Sequence, residues 1–228
     1  VSEGNKNNIT MQKELTFPHS LGLIYSVFTA FLGFEINEGE YKVMGMAPYG
    51  KPNYVEKVRK VIKSNKDGSF TVNKKYISYH YSTKSSFSKN FVKLFGEPRE
   101  PGKLFFTNQT GYPDYFGEKP NDYELQVESN QYYADIAASI QKVTEELVIN
   151  LLNQIPAEKY EYNLCLAGGV ALNSVINGKI KKLTKFKNIY IQPSAGDGGG
   201  AIGAALSFIH QALKKNQRFI MDPSYWGP

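Results

Sequence analysis

The chain has little of several features that would each point to a particular class of protein. It contains one cysteine, Cys165, so no disulfide can form within it, and a reducing, cytoplasmic location is expected. No run of about 18 apolar residues exists, so we expect no membrane span. The polar first residues have no signal-peptide pattern and no initiator methionine, which predicts a fragment of a longer protein.

A dense basic block with interleaved aromatic residues is also missing, although the net charge of the 228 residues is +6. The lysines are spread over many segments and are not interleaved with aromatic residues in the way that is typical of nucleic-acid surfaces. We therefore predict a solvated, lysine-rich surface and no nucleic-acid partner. A hydrophobic content of 41%, with 14% aromatic residues, indicates a globular chain.

Helical spacing of apolar residues predicts two core helices. The first follows Pro18 and ends near Gly33, with His19 at its start as a capping or packing residue. The second, which is the longest, runs from Gln131 to about Ile155. These two helices are expected to bury broad apolar faces.

The remaining segments before residue 131 predict shorter elements. A strand or hairpin is expected within residues 1–17, an amphipathic helix over 53–64 and a strand over 69–77. A further helix is predicted from Ser88. Residues 96–122, rich in glycine, proline and tyrosine, are expected to be irregular and exposed.

The segment Glu38–Gly50 is a candidate site loop. Its glycines and its proline argue against a long regular element, yet it is apolar enough to be held against the body of the protein. An ordered loop that carries a lysine and two glutamates is a reasonable place for binding or catalysis. The alternative is an ordinary connector in which Lys42 pairs with Glu38 or Glu40.

Two short apolar runs each end in a glycine-rich turn that opens a helix. Residues 164–166 lead into Gly168 and Gly169, and residues 189–191 lead into the turn 194–200 and a helix over 201–213. Parallel strands joined by helices place such turns at the same carboxyl edge of a sheet, where ligands bind. Glycines let backbone approach a ligand, and helix N-termini attract anions, so this edge is predicted to hold a nucleotide.

Two polar residues at these turns are candidates for chemistry. Asn173, expected in the first turn of its helix, can donate to and accept from ribose hydroxyls. Asp197, the acid among four glycines, can ligate a divalent cation or accept a substrate proton. The alternative for Asp197 is a helix N-cap.

A competing pattern lies in the same stretch. Gly198, Gly200 and Gly203 satisfy G-x-G-x-x-G, and Asp222 ends a possible strand at about the spacing of a dinucleotide fingerprint. In that fingerprint the first glycine follows its strand directly. Here several residues intervene, and Asp197 would place a negative charge near the pyrophosphate. The dinucleotide-binding interpretation is therefore not favoured.

Five sequence blocks closely resemble the O-carbamoyltransferases of the nodulation-protein and antibiotic type. In order, they are PHSLGLIYSVFTAFLGF, GEYKVMGMAPYG, ADIAASIQKVTEEL, CLAGGVALNSVINGKI and IQPSAGDGGGAIGAAL. They run from about Pro18 to Leu206 in the family's order. The resemblance implies an α/β fold, the second part of an actin-like ATPase (ASKHA, ribonuclease H-like) domain over residues 1–217, with a largely irregular insertion at about 65–122.

The resemblance also implies that parts of the protein lie outside this chain. Residues 218–228 would begin a linker to a missing C-terminal domain. Family members carry a metal-binding H-x-x-x-H pair, which His19, His80 and His210 cannot form. The pair is therefore expected in a missing N-terminal half.

In this family, carbamoyl phosphate and ATP give a carbamoyl-adenylate, whose carbamoyl group passes to a hydroxyl of a small-molecule acceptor. By likeness, the nucleotide-binding candidates are Gly168, Gly169, Asn173, Gly198 and Gly199. Asp197 would be catalytic and would ligate a divalent ion, iron or magnesium, while Lys42 is the candidate for the phosphate or carbamoyl group. The rival interpretation is a nucleotide-binding module of the same fold without transfer activity.

Overall fold

The computed structural model describes residues 1–218, and within them the chain forms two compact units. We call them the helical unit, which is Phe17–Pro156 with Lys182–Thr184, and the glycine-turn unit. The latter comprises Val1–Thr16, Ala157–Lys181 and the described residues from Lys185 onward. The possible strand 219–221, Asp222 and the predicted linker after Arg218 lie outside the described residues.

Residues 1–218 combine helices with short strands, which confirms a mixed α/β class. The strands are β1 Ser2–Asn5, β2 Asn8–Met11, β3 Ile62–Ser64, β4 Phe70–Val72, β5 Asn163–Leu166 and β6 Asn188–Ile191. The helices are α1 Leu21–Phe31, α2 Glu40–Met46, α3 Val55–Val61, α4 Lys89–Phe95, α5 Tyr123–Asn153, α6 Ser174–Leu183 and α7 Gly199–Ser207. Short 3-10 turns lie at Ala47–Tyr49, Asp114–Phe116, Ala157–Tyr160 and Gly169–Leu172, and a π-type turn at Phe208–Ala212. No helix within residues 1–218 is both long and apolar enough to cross a membrane.

The core of the helical unit is built from phenylalanine side chains of α1 and α4. Phe28 meets Phe95 edge to face, with ring centroids 5.2 Å apart, and Phe31 meets Phe91 at 5.3 Å. All four rings are fully buried, and such edge-to-face pairs add to the hydrophobic gain of burial. The predicted first core helix is thus confirmed.

Helix α1 begins where the sequence predicts. Ser20 is its N-cap, and the Ser20 hydroxyl accepts a hydrogen bond from the Leu23 amide at 3.2 Å. The neighbouring His19 accepts through Nδ1 from the Val72 amide at 3.0 Å, which ties the start of α1 to β4. His19 therefore has the packing role that the sequence predicts.

Helix α5 begins eight residues before the predicted start. Its first turns, from Tyr123, are too polar to show an apolar stripe. They are anchored instead by Tyr123, whose ring stacks on the fully buried Phe106 at 5.4 Å, and by the buried Val127. Phe106 also shows that the irregular segment 96–122 is not wholly exposed, contrary to the prediction.

The segment Glu38–Gly50 is helical, so its prediction as an irregular loop is wrong. It forms α2 followed directly by the 3-10 turn Ala47–Tyr49, and Val43 and Met46 are buried on one face. Gly45 lies on the open side of α2, where a Cβ would meet nothing within 4 Å. Pro48 falls in the first positions of the 3-10 turn, where no backbone N–H is needed.

Two other boundaries differ from the prediction. The helix expected over 53–64 ends at Val61, and the strand expected over 69–77 spans only Phe70–Val72, because these two segments form the antiparallel hairpin β3–β4. Asn73 ends β4 by a turn in which its side-chain oxygen accepts from the Lys75 amide at 3.1 Å. The helix predicted from Ser88 is confirmed, with the Ser88 hydroxyl capping the Asn90 amide at 3.1 Å.

The residues after α2 are fastened to α5 by a buried carboxylate. Asp135 accepts from the Lys51 amide and from the Asn53 side chain, each at 2.8 Å. One turn further, the Ser139 hydroxyl accepts from the Tyr54 amide at 2.9 Å. These three hydrogen bonds, made about 85 residues apart in sequence, position α2 and α3 on the longest helix.

Replacing Asp135 with alanine is expected to lower the free energy of unfolding by about 2–4 kcal/mol, because buried donors lose their partner. Thermal unfolding measures the loss. Glu128→Ala, which removes an exposed carboxylate from the same helix, is the control and should leave the melting temperature within a degree or two, as for about 0.5 kcal/mol. Equal melting temperatures for the two variants would contradict the role of Asp135.

The glycine-turn unit contains two separate strand pairs. β1 and β2 form the predicted hairpin, with Ser2 opposite Met11, and the Glu3 carboxylate pairs with Lys159 at 3.0 Å. β5 and β6 run parallel with Leu166 opposite Ile191. Both strands of the parallel pair alternate exposed and half-buried residues, so neither is buried as parallel strands usually are.

Candidate functional site

The two glycine turns meet at the carboxyl edge of β5–β6, as the sequence predicts. The Gly168 amide donates to the Ala195 carbonyl at 2.7 Å, which joins the first turn to the second. A Cβ on Gly196 would touch the Leu172 side chain at 3.7 Å, so the second turn also lies against the 3-10 turn after Gly168. The edge is thus one continuous backbone surface made by both turns.

The first turn leaves open space above its backbone. Gly168 has φ 97° and ψ 163°, a conformation that side-chain-bearing residues rarely adopt. A Cβ on either Gly168 or Gly169 would meet no atom within 4 Å, and both residues are exposed. A flat ligand can therefore approach this backbone closely.

Asn173 stands just before α6 and not within its first turn, which corrects the predicted position. It ends the 3-10 turn Gly169–Leu172, and its side-chain oxygen accepts from the Ile176 amide at 3.1 Å, as an N-cap does. The half-buried side chain is thereby held in a fixed orientation beside the first turn. A fixed amide is suited to directional recognition of a hydroxyl pair.

Capping and ligand recognition by Asn173 can be separated by substitution. Asn173→Ala is expected to cost about 1 kcal/mol of stability through the lost cap, whereas Asn173→Ser retains a capping oxygen. If the amide also binds ribose, both variants of the complete protein should bind ATP about tenfold more weakly by calorimetry. Wild-type ATP affinity in Asn173→Ser would remove Asn173 from the nucleotide site.

Asp197 presents an unpaired carboxylate at the second turn. The residue is exposed, and its side chain makes no hydrogen bond or ion pair with any residue in the described part of the chain. Helix α7 begins at Gly199 with Gly198 as its N-cap, and no side chain caps it. The alternative in which Asp197 is a helix N-cap is therefore wrong.

Steric contacts within the turn explain why glycines follow Asp197. A Cβ on Gly199 would lie 2.2 Å from the Ser194 carbonyl oxygen, and one on Gly198 would lie 2.9 Å from the Ser194 hydroxyl. The turn can close only with glycine at Gly199. Residues 192–197 separate β6 from Gly198, whereas a dinucleotide fingerprint would place that glycine directly after the strand.

Lys42 belongs to the helical unit, whereas the residues of both turns belong to the glycine-turn unit. It is exposed on α2, and its Nζ lies 5.9 Å from the ring centroids of Phe34 and Tyr41. The Glu40 carboxylate accepts instead from the Ser26 hydroxyl at 2.6 Å and from the Asn37 amide at 3.1 Å. Lys42 has no ion pair within residues 1–218, so the predicted alternative of pairing with Glu38 or Glu40 is wrong.

A divalent metal would need more donors than this part of the protein supplies. Residues 1–218 contain no group of three or more histidine, cysteine, aspartate or glutamate side chains placed to hold a metal ion. Asp197 offers one carboxylate, which suits a hard cation such as magnesium. By themselves, the described residues do not fit a complete metal site.

The chain matches the family model described as carbamoyltransferase N-terminus over residues 2–206. It belongs to this carbamoyltransferase family. The resemblance found in the sequence blocks is thus confirmed.

Relatives of this carbamoyltransferase chain are much longer than it is. It is 45% identical to uncharacterized protein sll1178 of Synechocystis, over 99% of the chain and 34% of the relative. It is 31% identical to nodulation protein NolO of Bradyrhizobium diazoefficiens, over 94% and 33%. Nodulation protein NolNO of Sinorhizobium fredii is 30% identical, over 93% and 26%. The chain therefore spans about a third of these relatives or less.

Proposed function

We propose that the complete protein is an O-carbamoyltransferase and that this chain carries its nucleotide-binding part, within an actin-like ATPase (ASKHA) fold. The carbamoyl group of carbamoyl phosphate would pass through a carbamoyl-adenylate, made at the expense of ATP, to a hydroxyl of a small-molecule acceptor. The observation that carries the proposal is the open edge where two glycine turns meet, in a chain that belongs to this family.

The first turn would hold the adenosine. The space above Gly168 and Gly169 admits a flat base against bare backbone, and the fixed Asn173 amide lies at the same turn. The second turn would face the phosphate, because the start of α7 offers backbone N–H groups and the positive end of a helix dipole.

Asp197 is the proposed catalytic carboxylate. In the transfer step, the acceptor oxygen forms a bond to the carbamoyl carbon, the bond from that carbon to the adenylate phosphate oxygen breaks, and AMP leaves. The acceptor proton must go to a base, and an exposed carboxylate without a partner is free to take it. The other role for Asp197 in the complete protein would be to supply one oxygen ligand to a divalent ion, iron or magnesium, whose remaining ligands would lie outside this chain; the acceptor proton would then go to another base.

The companions of this chain would be the missing N-terminal half and C-terminal domain of the same protein. Helix α7 has an apolar composition but no buried residue, and the parallel pair β5–β6 is only half covered. Surfaces of this kind are normally buried in a complete domain. We therefore expect the chain alone to bind nucleotide weakly at most and to be inactive in transfer.

The proposal is tested on the complete protein with ATP, carbamoyl phosphate and a set of hydroxyl-bearing acceptors. AMP release that depends on carbamoyl phosphate is the expected result, followed by a mass increase of the acceptor that matches one carbamoyl group. Tight ATP binding by calorimetry without AMP release would contradict it and favour a nucleotide-binding module.

A further inference from the structure

We propose that Arg99 and Lys42 form an oxyanion-binding site around the Phe34 ring of the helical unit, and that its ligand is a phosphate group. The proposal extends the proposed function, because Lys42 is its candidate for the phosphate or carbamoyl group. Arg99 has no role in that function so far.

Arg99 is a buried cation, with only 4% of the residue exposed. It lies in the irregular segment after α4, where its amide donates to the Phe31 carbonyl at 2.9 Å. The Nη2 group donates to the carbonyls of Lys103 and Leu104. Two carbonyl oxygens therefore orient the guanidinium but do not neutralise it.

The other donors of this guanidinium lack partners. The Nε group of Arg99 is sealed from solvent and makes no hydrogen bond. Nη1 is not among the sealed atoms, and it donates to no residue in the described part of the chain. An unneutralised buried charge is costly, and burial lowers the pKa of Arg99. A guanidinium whose Nη1 group is neither sealed nor bonded within the described chain can donate to an anion.

Lys42 approaches the same aromatic ring. The Phe34 ring centroid lies 5.7 Å from the Arg99 guanidinium carbon and 5.9 Å from the Lys42 ammonium nitrogen. The ring helps to hold both cations by cation–π attraction, although it supplies no negative charge. Two cations therefore lie within about 6 Å of the centre of one ring, and of these Arg99 is buried and Lys42 is exposed.

Glu100, next to Arg99, and Glu40, two residues before Lys42, have other partners. The Glu100 carboxylate pairs with Lys103 at 2.9 Å, and the Glu40 carboxylate is held by Ser26 and Asn37. Neither Arg99 nor Lys42 has an ion pair within residues 1–218. Within residues 1–218, neither cation is therefore neutralised by an ion pair.

A phosphate group matches this arrangement better than a neutral ligand would. In the proposed site its oxygens would accept from the guanidinium and from the ammonium, and charge-assisted hydrogen bonds of this kind are stronger than neutral ones. Within the proposed function, the phosphate would be that of an anionic substrate.

The test is a titration of the 228-residue chain with inorganic phosphate at constant ionic strength, followed by phosphorus NMR and by thermal unfolding. Saturable binding is expected, and Lys42→Met should weaken it about tenfold, since one of two cations is lost. Arg99→Met should abolish it. Lys42 is exposed, so its variant stays informative even if Arg99→Met fails to fold.

The matched control is Arg59→Met, because Arg59 is already paired with Glu56 at 2.6 Å and with Glu146 at 2.8 Å. It should bind phosphate like the wild type. No saturable binding, or equal binding by Lys42→Met and Arg59→Met, would overturn the site. The titration contains no ATP or acceptor, so phosphate binding can be observed even when the transfer assay fails. Carbamoyl transfer without phosphate binding would contradict only the Arg99–Lys42 site.

Discussion

Replacing Asp197 with alanine in the complete protein is expected to abolish carbamoyl transfer, by about a thousandfold or more, and to leave its melting temperature unchanged. We expect activity to be lost without a loss of stability because, within residues 1–218, the Asp197 side chain makes no hydrogen bond or ion pair that stabilises the fold. Its carboxylate is exposed and bonds to no described residue, so its removal breaks no interaction that holds the turn. A loss of activity at constant stability identifies a residue that acts on the substrate.

Two further variants sharpen the Asp197 experiment. Asp197→Asn keeps the shape but removes the charge, and should be nearly as inactive as alanine if a base or a metal ligand is lost. Glu14→Ala removes another exposed carboxylate of the glycine-turn unit and should keep full activity. Turnover in Asp197→Ala within a few-fold of the wild type would exclude Asp197 from the site.

Replacing Gly50 with alanine is expected to destabilise the chain by about 3 kcal/mol, an effect large enough to unfold much of the helical unit. The added Cβ would lie 2.0 Å from the Ala134 carbonyl oxygen and 2.6 Å from the Asp135 amide. Both atoms belong to the backbone of α5, which cannot yield as a flexible side chain can. The clash would also pull Lys51 away from the Asp135 carboxylate.

Gly45 provides the matched comparison for Gly50 within the same sequence block. It lies on the open side of α2, where an added Cβ meets nothing within 4 Å. Gly45→Ala should therefore raise the free energy of unfolding by about 0.5–1 kcal/mol, as a glycine-to-alanine change in an exposed helix does. Chemical denaturation of both variants gives the comparison, and a shift of the same sign in both would contradict the packing of Gly50 on α5.

The corrections to the predicted fold follow one pattern. Segment 38–50 was expected to be irregular because local rules count glycine and proline as helix breakers, but Gly45 faces open space and Pro48 needs no donor. Helix α5 extends to Tyr123 because that ring stacks on Phe106. In both cases a contact or an open space, which local sequence does not encode, overrides the local rule.

Some features of the candidate site could be predicted from the sequence and others could not. The sequence correctly predicts that the two glycine turns, with Asp197 in the second, lie at the carboxyl edge of the parallel pair, because a strand followed by glycines and a helix is a local pattern. The roles of these residues in binding and catalysis stay a prediction. The sequence does not predict the burial of Arg99, since nothing in an irregular segment signals a buried guanidinium. It also misses the capping by Asn173, which the pattern places in the first turn of the helix.

By itself, the sequence determined the α/β class, the capped start of α1, the parallel order of the two glycine turns and membership of the carbamoyltransferase family. These properties rest on short-range periodicity, capping chemistry and contiguous motifs, which need no knowledge of distant contacts. Only the tertiary structure decided that Gly50 must lie against α5, that Asp197 has no partner and that Arg99 is buried beside Phe34. The reason is physical: burial and close approach depend on residues far apart in the chain, and no local pattern specifies them.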